Sequence, residues 1–475
     1  MQNLLKNTLI YSIGRILPQL ISFITLPIYV SVMTSEDYGI INTLQVLSAI
    51  IVIFFTLNID RAVYRLYHDY TSEDDKQAYL GSIFLIMSII STIVLVILLL
   101  FPQIISILFE SIAFKPYIIL SILTTYISTF QIVPQIIFQL RDKAKQHLIF
   151  SLCKTILTTG LTLWFVLHRH EGAIGFLKSQ LIGALVITPF LLPYTFSEVK
   201  FQVRKHHIIE SIKISAPLIP TILSAWILNL SDRIFIERYL SLSEVGIYSL
   251  GYKIASLLLV VSAGFGIAYS PIFFQLANDE KISAKKYLQK YNELYLMFIL
   301  VLGFLLSLFA KEIITVLFSS IYTSASGIII IIIASLIFSE TTGLLSKMYM
   351  QTKKVSMIMY IQITSAILNI IFNAMLIPQY GIYGAAYATL LSFMFNFAMF
   401  IKYRKYSYYI AFNWKSLGEV FALLAIPIAI FSIDNELSTL HSIAIKTIVA
   451  LLLLLFIYKK YIISILMRKI PEFNP

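Results

Sequence analysis

The sequence predicts an all-α integral membrane protein of about fourteen transmembrane helices, built as two six-helix bundles in parallel repeat plus two C-terminal helices. Scarcity of charge, recurring apolar runs of spanning length and an internal repeat lead to that reading. Of the 475 residues, 59% are hydrophobic and 13% charged, and the mean hydropathy is +0.85. A soluble chain carries nearer 25% charged residues. Each apolar run is long enough, at about twenty residues, to cross a hydrocarbon core of roughly 30 Å as a helix. The runs do not alternate apolar with polar residues, as barrel strands would.

Taken in order, the expected spans lie near 8–32, 40–58, 79–101, 117–138, 147–167, 173–196, 212–231, 246–275, 291–310, 325–350, 355–376, 382–401, 416–433 and 440–467. The first contains Arg15 and Pro18 and no small-residue cleavage site, so it reads as a span and not as a signal peptide. The eighth and tenth are long and carry Gly or Pro, which predicts kinks or tilt. The net charge of +12 is spread over short loops and forms no nucleic-acid-binding stripe. About 26 Lys and Arg residues fall on one side of the expected spans and about 6 on the other. The rich side, with both termini, is expected to be cytoplasmic.

The repeat emerges when the sequence is shifted by 209 residues. Ile104, Ile105, Leu108, Phe109, Ser111 and Ile112 then meet Ile313, Ile314, Leu317, Phe318, Ser320 and Ile321. The same shift pairs Lys145 with Lys354, Gly172 with Gly381, and Gly175 with Gly384. A nearby shift pairs the Leu17-Pro18 and Gly39 region with Ile219-Pro220 and Gly246. An even number of spans per repeat gives both copies the same direction, hence a two-fold axis along the membrane normal. The expected units are a bundle over 1–200, its repeat over 201–405, and two further spans over 406–475. Two such bundles facing each other across a cleft are typical of alternating-access carriers.

An ionisable group at membrane depth costs several kcal/mol unless it meets a cavity or a partner, so it is a functional candidate. Arg15 and Lys154 each lie about seven residues into their spans, and Lys253 a similar distance into the eighth. Arg61 is expected to end the second span. Cations suit a diphosphate, because Arg offers a bidentate fork and Lys a point charge; Arg61 could equally snorkel to headgroups, and the lysines could pair within the protein. Glu340 lies about fifteen residues into the tenth span, and the 209-residue shift pairs it with Gln131. That asymmetry marks Glu340 as a candidate for ion coupling, or else as the counter-ion of Lys347. Asp232-Arg233 and Glu237-Arg238 read as an ion-pair turn or outer gate. Asn58, Asn229, Asn369, Asn373, Gln131, Gln135 and Gln362 are expected to bond between helices or to a polar substrate. His168-x-His170 lacks a third ligand and the only cysteine is Cys153, so neither a metal site nor a cofactor is expected.

Three stretches carry a family resemblance. One runs from Arg15 through Pro27 to Ser35-Glu36-Asp37-Tyr38-Gly39. Another is Asp232-Arg233-x-x-Ile236 with Ser243-Glu244-Val245-Gly246-Ile247-Tyr248. The last runs from Asn369 through Leu376-Ile377-Pro378-x-x-Gly381-x-x-Gly384-Ala385-Ala386-x-Ala388-Thr389. Over nearly the whole chain the sequence resembles the O-antigen and capsule flippase branch of the multidrug/oligosaccharidyl-lipid/polysaccharide transporter superfamily. The resemblance implies a non-enzymatic carrier that moves a polyprenyl-pyrophosphate-linked oligosaccharide to the outer leaflet of the bacterial cytoplasmic membrane. It further implies coupling to H+ or Na+, contact with membrane lipids and neighbouring glycan-polymerase or assembly proteins, and cations of the first, second and eighth spans on the diphosphate. Arg15, Arg61 and Lys253 stand on those spans. The rival readings are a drug or cation exporter of the same superfamily, which calls for a carboxylate-rich cavity, and a glycan polymerase or ligase, which calls for a long catalytic loop that the sequence does not show.

Overall fold

The computed structural model describes residues 2–278, 282–408, 410, 412–422, 425–433, 439–459 and 463. Every regular element among them is helical. Among the described residues ten helices are long and apolar enough to cross a membrane, and shorter apolar helices occupy Ile16–Val30 and His441–Ile457. Large apolar side chains are buried inside and also stand outward, as Ile24, Ile156, Phe190 and Leu452 do. Helices apolar all round belong in hydrocarbon, and this is a multi-pass membrane protein.

The chain divides into two compact units, Met1–Gly246 and Ile247–Pro475. The expected boundary at 200 lies one span earlier. The seventh span stays with the first unit because it packs on the second: the Trp226 indole donates to the Val46 carbonyl at 3.2 Å.

The first unit holds α1 (Gln2–Val30), α2 (Ser35–Thr56), α3 (Ile59–Leu66), α4 (Glu73–Leu100), α5 (Ile119–Thr129) and α6 (Ile132–Leu140). These are followed by α7 (Ala144–Leu163), α8 (Gly172–Glu198), α9 (Lys205–Ser215), α10 (Ile219–Leu230), α11 (Asp232–Tyr239) and the start of α12 (Leu242–Ala255). A capping box opens α2, with the Asp37 amide donating to Thr34 Oγ1 at 3.0 Å and the Thr34 amide to Asp37 Oδ2 at 3.3 Å. Asp37 Oδ1 also accepts from the Ala173 amide at 2.9 Å, so one carboxylate fixes the first turns of both α2 and α8. Leu57 and Asn58, with φ of 46° and 54°, turn the chain between α2 and α3. One span is broken into α5 and α6 at Phe130-Gln131, where Pro134 lacks the N–H that the Phe130 carbonyl would accept. Ile41, Leu44, Phe55, Ile118, Ile122 and Leu177 form the core among α2, α5 and α8.

The Lys- and Arg-rich end of this unit is tied by charge. The acidic first turn of α4 favours the helix dipole, and it also anchors neighbouring loops. Arg141 bridges Glu73 and, at 3.2 Å, Glu198. Lys200 meets Asp74 at 2.8 Å and Arg204 meets Asp75 at 2.6 Å.

The second unit contains α13 (Leu257–Ala277), α14 (Ile282–Leu308), α15 (Ala310–Leu317), α16 (Ala325–Gln351) and α17 (Val355–Lys402). It ends with α18 (Trp414–Ala422), α19 (Ala425–Ile433) and α20 (Thr439–Ile457). The 48-residue α17 contains both the eleventh and twelfth expected spans, because Gly381 takes φ 59° and ψ −140° and reverses the chain. That conformation is open to glycine and strained for other residues. Buried Lys446 pairs with Glu312 at 2.6 Å and ties α20 to α15.

Candidate functional site

Each unit carries a polar centre at membrane depth. In the first, the break between α5 and α6 places fully buried Gln131 where its carboxamide reaches two neighbouring helices. Lys154 of α7 donates to Gln131 Oε1 at 2.7 Å. Gln131 Nε2 donates to Thr188 Oγ1 of α8 at 2.9 Å, and the Thr188 hydroxyl passes on to the Ala184 carbonyl at 2.8 Å. Among the described residues no carboxylate pairs with Lys154. Its charge is solvated by an amide and remains available to an anion.

In the second unit the equivalent of Gln131 is Glu340 on α16. The Tyr295 and Ser262 hydroxyls both donate to Glu340 Oε2, and Phe265 stacks on Tyr295 with ring centres 4.1 Å apart. Lys347 is not its ion-pair partner among the described residues. The ammonium lies 5.1 Å above the Tyr269 ring, and the Tyr269 hydroxyl donates to Asn292 Oδ1 at 2.6 Å. Lys253 of α12 is exposed and its ammonium has no hydrogen-bond or ion-pair partner among the described residues. Among the described residues, Lys154, Lys253 and Lys347 are span cations that no carboxylate pairs with.

The other expected residues lie elsewhere. Arg15 falls on α1, with its side chain outside the described residues. Arg61 does not end the second span. It sits on α3, which buries Ile59, Ala62, Val63 and Leu66 and turns its charged face out. There Arg61 is 65% exposed and lies 3.6 Å from Asp60, so it does not join Lys154. Burial pushes the Asp60 carboxyl up, and Arg61 partly offsets that. Asp232 and Arg233 are buried and paired at 2.7 Å, with Arg233 also donating to the Asn229 carbonyl at 2.7 Å. Glu237 and Arg238 pair with the loop before the fourth span instead of with each other. Glu237 Oε1 accepts from the Ser111 amide at 2.8 Å and Arg238 meets Glu110 at 3.1 Å. Burial, with Glu110 adding to it, raises the Glu237 carboxyl above its ordinary range.

Two motif copies meet inside the first unit. A Cβ at Gly39 would run into the Leu242 carbonyl, and one at Gly246 into the Ser35 carbonyl. Ser35 Oγ and Ser243 Oγ are 2.7 Å apart. The two stretches thus approach backbone to backbone, each glycine leaving room for the other stretch's carbonyl. The sequence singles out Lys154, Lys253 and Glu340 as candidates but not the Thr188, Ser262 and Tyr295 hydroxyls that bond to Gln131 and Glu340, since nothing in a hydroxyl's spacing tells which helix it will face.

Comparison with known proteins fits this architecture. The polysaccharide biosynthesis protein family model matches residues 4–277, more than half of the chain. The MatE model matches residues 217–375. A curated relative, the probable low-salt glycan biosynthesis flippase Agl15 of Haloferax volcanii, is 24% identical over 188 residues. That match spans 39% of this chain and 40% of the relative. Among solved structures, the lipid II flippase MurJ in an inward closed conformation is similar with a TM-score of 0.75 at 18% identity, over 96% of this chain and 100% of that one. A variant of the Vibrio cholerae MATE transporter VcmN gives 0.56 at 15% identity, over 85% and 96%. These structural neighbours share the fold of the multidrug/oligosaccharidyl-lipid/polysaccharide transporters. The chain belongs to the polysaccharide biosynthesis protein family.

Proposed function

We propose that the chain is a flippase, not an enzyme, and that it carries polyprenyl-diphosphate-linked oligosaccharide across the bacterial cytoplasmic membrane by alternating access, with its termini on the cytoplasmic side. The observation that carries this reading is Lys154, held on Gln131 within the span with no carboxylate partner among the described residues; Lys253 likewise meets none there. A charge held at membrane depth without a counter-ion is costly unless a ligand supplies one, and a diphosphate does. Arg15 and Arg61 would complete the anion path, with Arg61 on the exposed face of α3 suited to headgroups of arriving lipid. Glu340, held by two hydroxyls, would bind the coupling proton or sodium. Asp232 and Arg233 would serve as an outer gate. Polymerase or assembly proteins would act on the delivered glycan.

The test is reconstitution in liposomes of the host's own extracted lipid-linked glycan, with outer-leaflet glycan measured by enzymatic release. The protein should expose the inner pool, and Lys154→Met should slow it by at least about tenfold. A rate equal to that of protein-free liposomes would contradict the reading. Export of an organic cation is the second reading, favoured by Glu340 lying inside the stretch that the MatE model matches.

A further inference from the structure

The first unit holds a cavity of about 360 Å³ among α2, α5 and α8, and Lys154 does not line it. Its walls are largely apolar, including Phe176, and its polar groups are the hydroxyls of Ser48, Ser121, Thr124, Thr125 and Ser128 and the carboxamides of Gln45 and Gln180. No ionisable side chain lines it. Ser48 Oγ is committed to Ser121 Oγ at 2.9 Å and Thr124 Oγ1 to the Leu120 carbonyl at 2.7 Å. Gln45, Ser128 and Gln180 make no side-chain hydrogen bond to the protein among the described residues. Gln45 sits midway along α2, well inside the apolar span. A free carboxamide at that depth costs several kcal/mol unless water or a ligand satisfies it.

We propose that this cavity is a glycan subsite, taking a neutral hydroxylated or acetamido sugar ring of the transported lipid; the inference rests on the flippase reading above. Carboxamides and hydroxyls both donate and accept, which matches the mixed donors and acceptors of a sugar. An apolar wall with a few placed polar groups is the usual make-up of small-molecule sites, and the volume falls within their range of about 300–1,000 Å³. At about 30 Å³ per water the cavity holds roughly a dozen waters, room for one or two sugar rings and not for a long glycan. The absence of charge argues against both a diphosphate and an organic cation at this spot. The chain thus divides recognition, with cations for the diphosphate and an uncharged cavity for the sugar.

The experiment compares affinities of the full chain in lipid nanodiscs. One probe is the polyprenyl-diphosphate-linked glycan extracted from the host's membranes; the other is the glycan-free polyprenyl diphosphate of the same length. The wild type should bind the glycan-bearing lipid about tenfold more tightly, and Gln45→Leu/Gln180→Leu should bring the two within about twofold, the loss falling on the glycan-bearing lipid. In parallel, Gln180→Cys in a Cys153→Ser background should be shielded from maleimide by the glycan-bearing lipid and not by the glycan-free one. A preference retained in the double variant, equal affinities in the wild type, or an unshielded thiol would each overturn the subsite. Failure of the wild type to bind either lipid would strike the flippase reading itself.

Discussion

Lys154 shows how one residue acquires a role from its surroundings. Half-buried beside Gln131, the ammonium is hydrogen-bonded but not neutralised, so under the proposed function a diphosphate would gain a charge-assisted bond worth about 1.5–3 kcal/mol. Lys154→Arg should therefore retain most glycolipid binding, while Lys154→Met should weaken it by about ten- to a hundredfold, as titration in nanodiscs would read. Glu237 carries a prediction of opposite kind. Its carboxyl is raised by burial, and Oε2 is buried without a partner. The folded chain thus holds that proton more tightly than the unfolded chain, and stability falls as pH rises from the ordinary carboxylate range, about 4.3, through the raised value. Glu237→Gln keeps the Ser111 bond and loses the buried charge. It should unfold at a higher temperature than wild type at neutral pH and at the same temperature below about pH 4; a less stable variant at neutral pH would speak against this. The span charges were legible in the sequence because charges are so rare there. The hydroxyls of Tyr295 and Ser262 were not, because their partner depends on how helices rotate against one another.

Among elements, the α2–α12 crossing depends on two glycines that admit the facing backbone. Gly39→Ala should cost about 1–3 kcal/mol, since the Leu242 carbonyl, unlike a flexible side chain, cannot swing away. Gly343→Ala, where a Cβ meets nothing within 4 Å, should be neutral or stabilising by up to about 1 kcal/mol. Thermal unfolding of the two variants side by side separates a packing requirement from a general intolerance of substitution. Ten of the helices among the described residues are long and apolar enough to span, as the apolar runs led one to expect, while the last two expected spans fall partly outside the described residues; Gly381 lies between two such runs, where α17 reverses. The break at Phe130-Gln131 was signalled only by Pro134, and the length and Gly/Pro content of the eighth expected span predicted a kink there without placing it at Ser256, between α12 and α13. Arg61 was displaced from the second span by the left-handed pair Leu57-Asn58, which ends α2 early. Its periodic apolar neighbours then lie flat as α3.

At the scale of the whole molecule, apolar surface inside and outside leaves only a bilayer as a suitable solvent, and the uneven Lys and Arg loops are the basis for the proposed cytoplasmic side. Coupling belongs to this scale too. With an imposed ion gradient, wild-type transport in liposomes should accelerate, whereas Glu340→Gln should transport at a gradient-independent rate, and an unchanged gradient response in that variant would remove Glu340 from coupling. The 209-residue shift suggests a boundary near residue 200, whereas the compact units divide at Gly246, because the seventh span packs on the second. The most direct measurement is the leaflet distribution of lipid-linked glycan in the native host after loss of this protein. The glycan is predicted to accumulate on the cytoplasmic face, with surface polymer lost and restored by wild type but not by Lys154→Met. Normal translocation in that strain, with no second flippase present, would contradict the account.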